Sequence, residues 1–275
     1  MIKSVAIQGV KGSFHHIVSQ NYFSKDTRIV ECLSFDSVVE SLINQETDAV
    51  IMAIENSIAG SIIPNYALID NENLHIVGEK YLDIQHNFMA LPNQSLNDIK
   101  EVYSHPMALL QCKEFFKKYP HIKLIEDKDT AEVAERIHKK QLKGVAAIAS
   151  KLASELFNLE ILASSIQTIK HNETRFVIVK LENHEIPEEE INKASIKFDV
   201  DHKRGSLATI LNVMSDCKLN LTKIQSLPKI ETPWKYAFFV DVTFKSYTDY
   251  KKAKSIMAIM AQDFKVLGEY KNAKL

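Results

Sequence analysis

Four short stretches of the chain place polar side chains or open turns at the start or the end of apolar strands, and their residue types suit the binding of a small anion. The first is Asn172-Glu173-Thr174-Arg175-Phe176. Thr174 offers a hydroxyl, and Arg175 a planar fork that matches a carboxylate. The second is Glu55-Asn56-Ser57, a carboxylate, an amide and a hydroxyl in sequence, with Gly60 close behind. The third is Ser104-His105-Pro106, followed by Gln111-Cys112. The fourth is the pair Gly9 and Gly12, a turn expected to expose backbone N–H groups at a helix start. Each has an ordinary meaning alone. An isolated Thr-Arg is a solvent-facing hydroxyl beside a surface ion pair, Asn56 or Ser57 a helix cap, and Gln111 an exposed helix residue.

The elements around these stretches favour a joint reading. Residues 174–181 read as a strand in which Arg175, Val177, Val179 and Leu181 alternate with Thr174, Phe176, Ile178 and Lys180. Residues 4–8 read as a short strand feeding the glycine turn and a helix to Tyr22. Residues 35–43 read as a helix with Phe35, Val38, Val39 and Leu42 on one face, and 49–54 as a strand buried on both faces that ends at Glu55. After a strand at 101–103, Ser104 is expected to cap a helix running to about Tyr119, with Pro106 in its first turn. At ~3.6 residues per turn, Gln111 would then project from the same face as Ser104. Strands at 123–125 and 144–149 and helices at 130–140 and 150–156 continue the alternation. Such alternation implies a parallel sheet whose C-terminal strand ends bind ligands. The glycine turn, Glu55-Asn56-Ser57 and Ser104-His105-Pro106 fall at those ends, each before a helix N-terminus, so with Arg175 as a charged partner the expected ligand is a small polyanion in a cleft.

Composition narrows the class. The 275 residues allow one large or two ordinary domains, and 45% hydrophobic with 25% charged residues is the balance of a soluble globular protein. A formal net charge of −1 gives no electrostatic case for nucleic acid or a membrane surface, and no apolar run is long enough for a bilayer. Met1-Ile2-Lys3-Ser4 leads into an apolar strand with no signal peptide visible. Cys32, Cys112 and Cys217 show neither disulfide nor metal spacing, so the expected location is the cytoplasm. His15 and His16 are read as helix positions that point in different directions, and no metal is expected.

Taken together in their order along the chain, the four stretches resemble the prephenate dehydratase family, and the resemblance extends over essentially the whole chain. It implies an α/β catalytic domain at 1–182, built of two lobes like a periplasmic binding protein, with the substrate in the cleft between them. The first lobe would hold about 1–75 with the Thr174 strand, and the second about 85–165. An α+β ferredoxin-like ACT regulatory domain would follow at 191–275. The implied reaction is the decarboxylating dehydration of prephenate to phenylpyruvate, driven by aromatisation and needing no cofactor. Thr174 would face the leaving hydroxyl and Arg175 a carboxylate, with Asn56, Ser57, Ser104, Gln111 and Phe176 completing the substrate site. Glu55, if desolvated in a closed cleft, is our added candidate for the proton source. The alternatives are arogenate dehydratase and a non-catalytic amino-acid sensor. Retention of Thr174, Gln111 and Asn56 favours an enzyme. The chain departs from the family's common pattern at Ala53, usually proline, at Met107, often glutamine, and at His15-His16, where small hydroxyl residues are commoner.

Past an acidic, proline-containing linker at 182–190, the pattern is strand 194–200, helix 206–217, strands 219–224 and 236–244, helix 247–260 and strand 264–268. This is a βαββαβ order. Asp201-His202-Lys203-Arg204-Gly205-Ser206-Leu207 and Leu219-Asn220-Leu221-Thr222-Lys223-Ile224 resemble segments of ACT domains, which bind amino acids between paired subunits. The implied effector is L-phenylalanine, contacted by Gly205, Ser206, Leu207, Asn220, Gln225 and Ser226 in a homodimer or homotetramer. Where many relatives carry Gly-Ala-Leu and Glu-Ser-Arg-Pro, this chain has Gly205-Ser206-Leu207 and Gln225-Ser226-Leu227-Pro228. A charge-assisted bond is lost with that pair, so effector affinity or coupling is expected to differ.

Overall fold

The structure is a computed structural model, and it describes residues 2–183, 186–201, 203–229 and 235–274. His184 and Glu185 of the linker and His202 of the Asp201-to-Leu207 stretch lie outside the described residues. In chain order the strands are β1 (Ser4–Gln8), β2 (Arg28–Cys32), β3 (Ala49–Asn56), β4 (Gly60–Ser61), β5 (His75–Asp83), β6 (Asn87–Ala90), β7 (Glu101–Ser104), β8 (Lys123–Glu126), β9 (Val145–Ala149), β10 (Glu160–Ala163), β11 (Glu173–Lys180), β12 (Lys193–Asp199), β13 (Asn220–Pro228), β14 (Tyr236–Thr243) and β15 (Gln262–Tyr270). The helices are α1 (Phe14–Tyr22), α2 (Phe35–Ile43), α3 (Ile63–Asn71), α4 (Pro106–Gln111), α5 (Lys113–Phe116), α6 (Thr130–Lys140), α7 (Lys151–Leu156), α8 (Ser206–Asp216) and α9 (Tyr247–Met260). Packing divides the chain into one unit of Met1–Gly60 with Tyr81–Phe176 and another of Ser61–Lys80 with Val177–Leu275.

The first sheet has the order β2-β1-β3-β11-β5, with β4 added on β3. β1 runs parallel to β2 and β3, as the alternation of strands and helices led one to expect. β3 is fully buried from Ala49 to Ile54, which explains its unbroken apolar run. The second sheet has the order β10-β6-β9-β7-β8. There β7 is parallel to β8 and β9, while β6 is antiparallel to β9 and β10, so the sheet is mixed rather than purely parallel. The helix expected to run from Ser104 to Tyr119 is broken at Cys112 into α4 and α5, and its N-cap is His105. His105 Nδ1 accepts from Met107 N at 3.2 Å, whereas Ser104 is the last residue of β7.

In the second unit, β12 to β15 form an antiparallel sheet in the order β13-β14-β12-β15. Ala194, Ile196 and Phe198 join a core with Ile210 and Met214 of α8, Val240 and Val242 of β14, and Tyr250 and Met257 of α9. The alternate residues of β12, Lys193, Ser195, Lys197 and Asp199, are buried as well. Each finds a partner. Lys193 Nζ bonds both Glu79 carboxylate oxygens at 3.0 and 2.8 Å, and Ser195 Oγ donates to Asp241 at 2.5 Å. Lys197 pairs with Asp263, and Asp199 accepts from Lys229 at 2.5 Å.

Candidate active site

Asn56, at the end of β3, organises the site. Its Oδ1 accepts from the backbone N–H groups of Ile58 at 3.0 Å and Ala59 at 2.8 Å. Backbone N–H groups can only donate, so these two bonds fix which end of the amide is oxygen. The Nδ2 must then donate, and it does so to Asn172 Oδ1 at 2.7 Å and to Thr174 Oγ1 at 2.9 Å. Thr174 Oγ1 is therefore an acceptor toward Asn56, and its hydrogen has no acceptor among the described residues. A hydroxyl whose oxygen is tied back and whose proton is uncommitted is arranged to donate to something else.

The polarity continues into the second sheet's side of the unit. Asn172 accepts through Oδ1 and donates through Nδ2 to Gln111 Oε1 at 2.8 Å. The same Gln111 oxygen lies 2.9 Å from His86 Nε2, in the segment between β5 and β6. Gln111 thus joins the site by its carbonyl, leaving its amide nitrogen without a partner among the described residues. Asn172 was legible only as part of a motif, and His86 gave no signal beyond being a lone histidine before a short apolar strand.

Other expected residues take different places. Ser104 is fully buried and its Oγ donates to Ile148 O at 2.7 Å, so it neither caps the helix nor has surface to offer a ligand. Phe176 is buried with its ring edge-on to His15 at 5.0 Å, supporting the strand from behind. Ser57 links the two strands: its N–H donates to Glu173 O at 2.8 Å and its Oγ accepts from Glu173 N at 2.9 Å. Asn56 and Ser57 cap no helix, because the chain turns into β4 and α3 begins only at Ile63. Arg175 is 4% exposed, and Glu55 is half-buried at the end of β3.

The glycine turn is not the exposed amide cradle the sequence suggested. Gly9 N donates to Cys32 O at 2.8 Å, Lys11 N to Glu31 Oε1 at 2.7 Å, Gly12 N to His16 Nδ1 at 3.0 Å and Ser13 N to Val10 O at 3.1 Å. Both glycines are required by positive φ, +90° and +93°, and by close approach. A Cβ on Gly9 would sit 2.8 Å from Asp129 Oδ2, and one on Gly12 would sit 3.1 Å from Ala153 Cα. Their role is to let helices of the second sheet come near. The paired histidines diverge as expected. His15 lies between Phe35 and Phe176, and burial pushes its imidazole down to about 4. His16 instead bonds Gly12 N. Among the described residues no three His, Cys, Asp or Glu side chains gather as metal ligands, and no helix is long and apolar enough to cross a membrane.

In the second unit, Gly205 caps α8 with φ +86°, and a Cβ there would meet nothing within 4 Å, so backbone conformation rather than close approach demands glycine. Ser206 opens α8, and Leu207 packs against the core of the unit. Register sets Ser226 of β13 level with Phe238 and Phe198, at the end of the sheet from which β12 leads toward Gly205. Asn220 aligns with Thr243 and Lys193 at the opposite end. The spacing of five residues at ~3.3 Å each keeps Asn220 out of any pocket that Gln225 and Ser226 share within one chain.

The family model described as prephenate dehydratase matches residues 5–184. The bifunctional chorismate mutase/prephenate dehydratase of Buchnera aphidicola subsp. Schizaphis graminum (strain Sg) is 32% identical over 244 residues, covering 88% of this chain and 63% of that protein. This chain therefore spans less than two thirds of that relative's length. The solved prephenate dehydratase of Staphylococcus aureus subsp. aureus Mu50 has a TM-score of 0.84 at 25% identity, covering 98% of this chain and 100% of its own. Two further structures share the fold. One is GqqA, described as a novel type of quorum quenching acylase, with TM-score 0.87, 24% identity and coverage of 98% and 97%. The other is a prephenate dehydratase in complex with L-Phe from Arthrobacter aurescens, with TM-score 0.86, 23% identity and coverage of 98% and 90%.

Proposed function

Because the chain belongs to the prephenate dehydratase family, we propose that it converts prephenate to phenylpyruvate, carbon dioxide and water. The observation that carries this reading is the orientation of Thr174, whose oxygen accepts from Asn56 and whose proton is left to donate. In the reaction the bond from the ring to its carboxylate breaks, and that electron pair closes the aromatic ring. The bond to the ring hydroxyl breaks in turn, and one proton converts the departing hydroxide to water. A hydroxyl donor at that oxygen lowers the barrier where negative charge develops. Arg175 would bind a carboxylate, and the amide nitrogen of Gln111 would donate to the same dianion. Threonine is too weak an acid to be the ultimate source, so Glu55, immediately before Asn56, is assigned to replenish the proton.

Residues 191–275 are assigned as an ACT domain that takes L-phenylalanine in a homo-oligomer. The βαββαβ order and the complex of the Arthrobacter aurescens structure with L-Phe support this assignment. Cys32, Cys112 and Cys217 are buried free thiols, which suits a reducing cytoplasm. The test is incubation of the purified protein with prephenate and, separately, arogenate, following phenylpyruvate and phenylalanine. Phenylpyruvate from prephenate is the expected product. Phenylalanine from arogenate with prephenate left untouched would move the assignment to arogenate, and inertness toward both would leave an amino-acid-binding protein.

A further inference from the structure

One buried group beside the site has no part in the chemistry described so far. His86 is 4% exposed, its Nε2 is 2.9 Å from Gln111 Oε1, and its Nδ1 is buried with no hydrogen-bond partner among the described residues. The ring of Phe14 packs edge-on against it at 5.8 Å. A lone buried histidine is ordinarily core filling. Here, however, half of its polar capacity is unsatisfied, a cost that leucine or phenylalanine at this position would avoid.

The polarity of the amide chain shows what the ring does. Ile58 N and Ala59 N fix Asn56, Asn56 fixes Asn172, and Asn172 donates to Gln111 Oε1. An oxygen that already accepts from Asn172 can meet His86 Nε2 only if that nitrogen carries hydrogen, so the neutral ring is the Nε2–H tautomer with Nδ1 bare. We infer that His86 is a positioning residue whose Nε2–H, acting with Asn172, clamps the Gln111 carbonyl and so presents the Gln111 amide nitrogen to a substrate carboxylate. Without His86, Asn172 alone among the described residues holds that carbonyl. The Gln111 side chain is then free to turn over and set an oxygen, rather than a donor, against the carboxylate. The inference rests on the prephenate dehydratase reading of the site.

Two substitutions separate the clamp from mere bulk. Glutamine can place its amide nitrogen where His86 Nε2 stands, whereas asparagine places its own at the position of Nδ1, which has no partner among the described residues. His86→Gln is therefore expected to keep a KM for prephenate close to wild type. His86→Asn and His86→Leu are expected to raise KM roughly tenfold, the size of a lost hydrogen bond to a charged group, with a smaller effect on kcat. In a Gln111→Ala background all three should behave alike, because the residue through which His86 acts is gone. Equal KM for the Gln and Asn variants, or an undiminished His86→Leu effect in the Gln111→Ala background, would overturn the proposal. Should the variants fail to fold, the ring ¹⁵N shifts of wild-type protein decide it. Nε2–H with bare Nδ1 is expected, and the opposite tautomer would overturn it. That measurement needs no substrate, so it stays distinct from a wild-type protein inert toward prephenate, which would instead overturn the reading beneath.

Discussion

At the residue scale the site is a set of amides that settle each other's direction, ending in the hydroxyl of Thr174. Asn56 is the pivot because backbone N–H groups, which cannot reverse their role, anchor its oxygen. Arg175→Lys is expected to raise KM for prephenate markedly while leaving the fold intact, because an ammonium cannot reproduce the bidentate fork. An unchanged KM in steady-state assays would remove Arg175 from carboxylate binding. His15 gives a prediction about stability. Burial lowers its pKa from 6.5 to about 4, so between those values the unfolded chain binds a proton that the folded chain refuses. Stability is complete above the unfolded value and drains as pH falls through the window, by on the order of 3 kcal/mol in total. His15→Leu should flatten the fall in urea midpoint between pH 7 and pH 4.5. His86, also lowered by burial, keeps some slope in place. An identical slope in the variant would contradict the assignment.

At the element scale, legibility followed local information. The helices at 35–43 and 130–140 match α2 and α6 to the residue, because each is amphipathic and begins at a capping side chain, Ser34 or Asp129. Missed were β2, β4, β5, β6, β10 and α3. β5 carries Gly78, Glu79 and Lys80 within its run and β6 is only four residues long, so neither shows a strand period. Among site residues, Thr174, Asn56 and Gln111 could be picked out because polar side chains at strand ends are informative. Ser104 could not be placed, because Ile148 O, a partner 44 residues away, decides where its hydroxyl points. The buried polar face of β12 was equally hidden, since its alternation is that of a strand with one wet face. Its Lys193–Glu79 pair is almost fully buried, and Glu79 also accepts from Ala273 N at 3.1 Å. Lys193→Met alone should cost about 3–5 kcal/mol by stranding a buried carboxylate, whereas adding Glu79→Leu should recover most of it. Chemical denaturation of the two variants checks this, and equal losses in both would refute it.

At the scale of the whole molecule, the proposed dehydratase site lies in one unit and the proposed amino-acid-binding domain in the other. Calorimetric titration with L-phenylalanine is expected to show binding, with prephenate turnover falling at saturating effector. Coupling of this kind is typically worth ~1–3 kcal/mol. No binding at millimolar phenylalanine would reduce the C-terminal sheet to an assembly element. The register adds a condition: Gln225 and Ser226 lie five and six residues along β13 from Asn220, so the three can serve one ligand only if different subunits supply them. The central claim concerns chemistry, and it is tested most directly by steady-state conversion of prephenate to phenylpyruvate by the wild-type chain and by Thr174→Ala. The account predicts that the wild type forms phenylpyruvate and that the variant, folded and with nearly unchanged KM, turns over roughly 10²–10⁴-fold more slowly. A wild-type protein that leaves prephenate unchanged, or a Thr174→Ala variant with near-normal kcat, would contradict it.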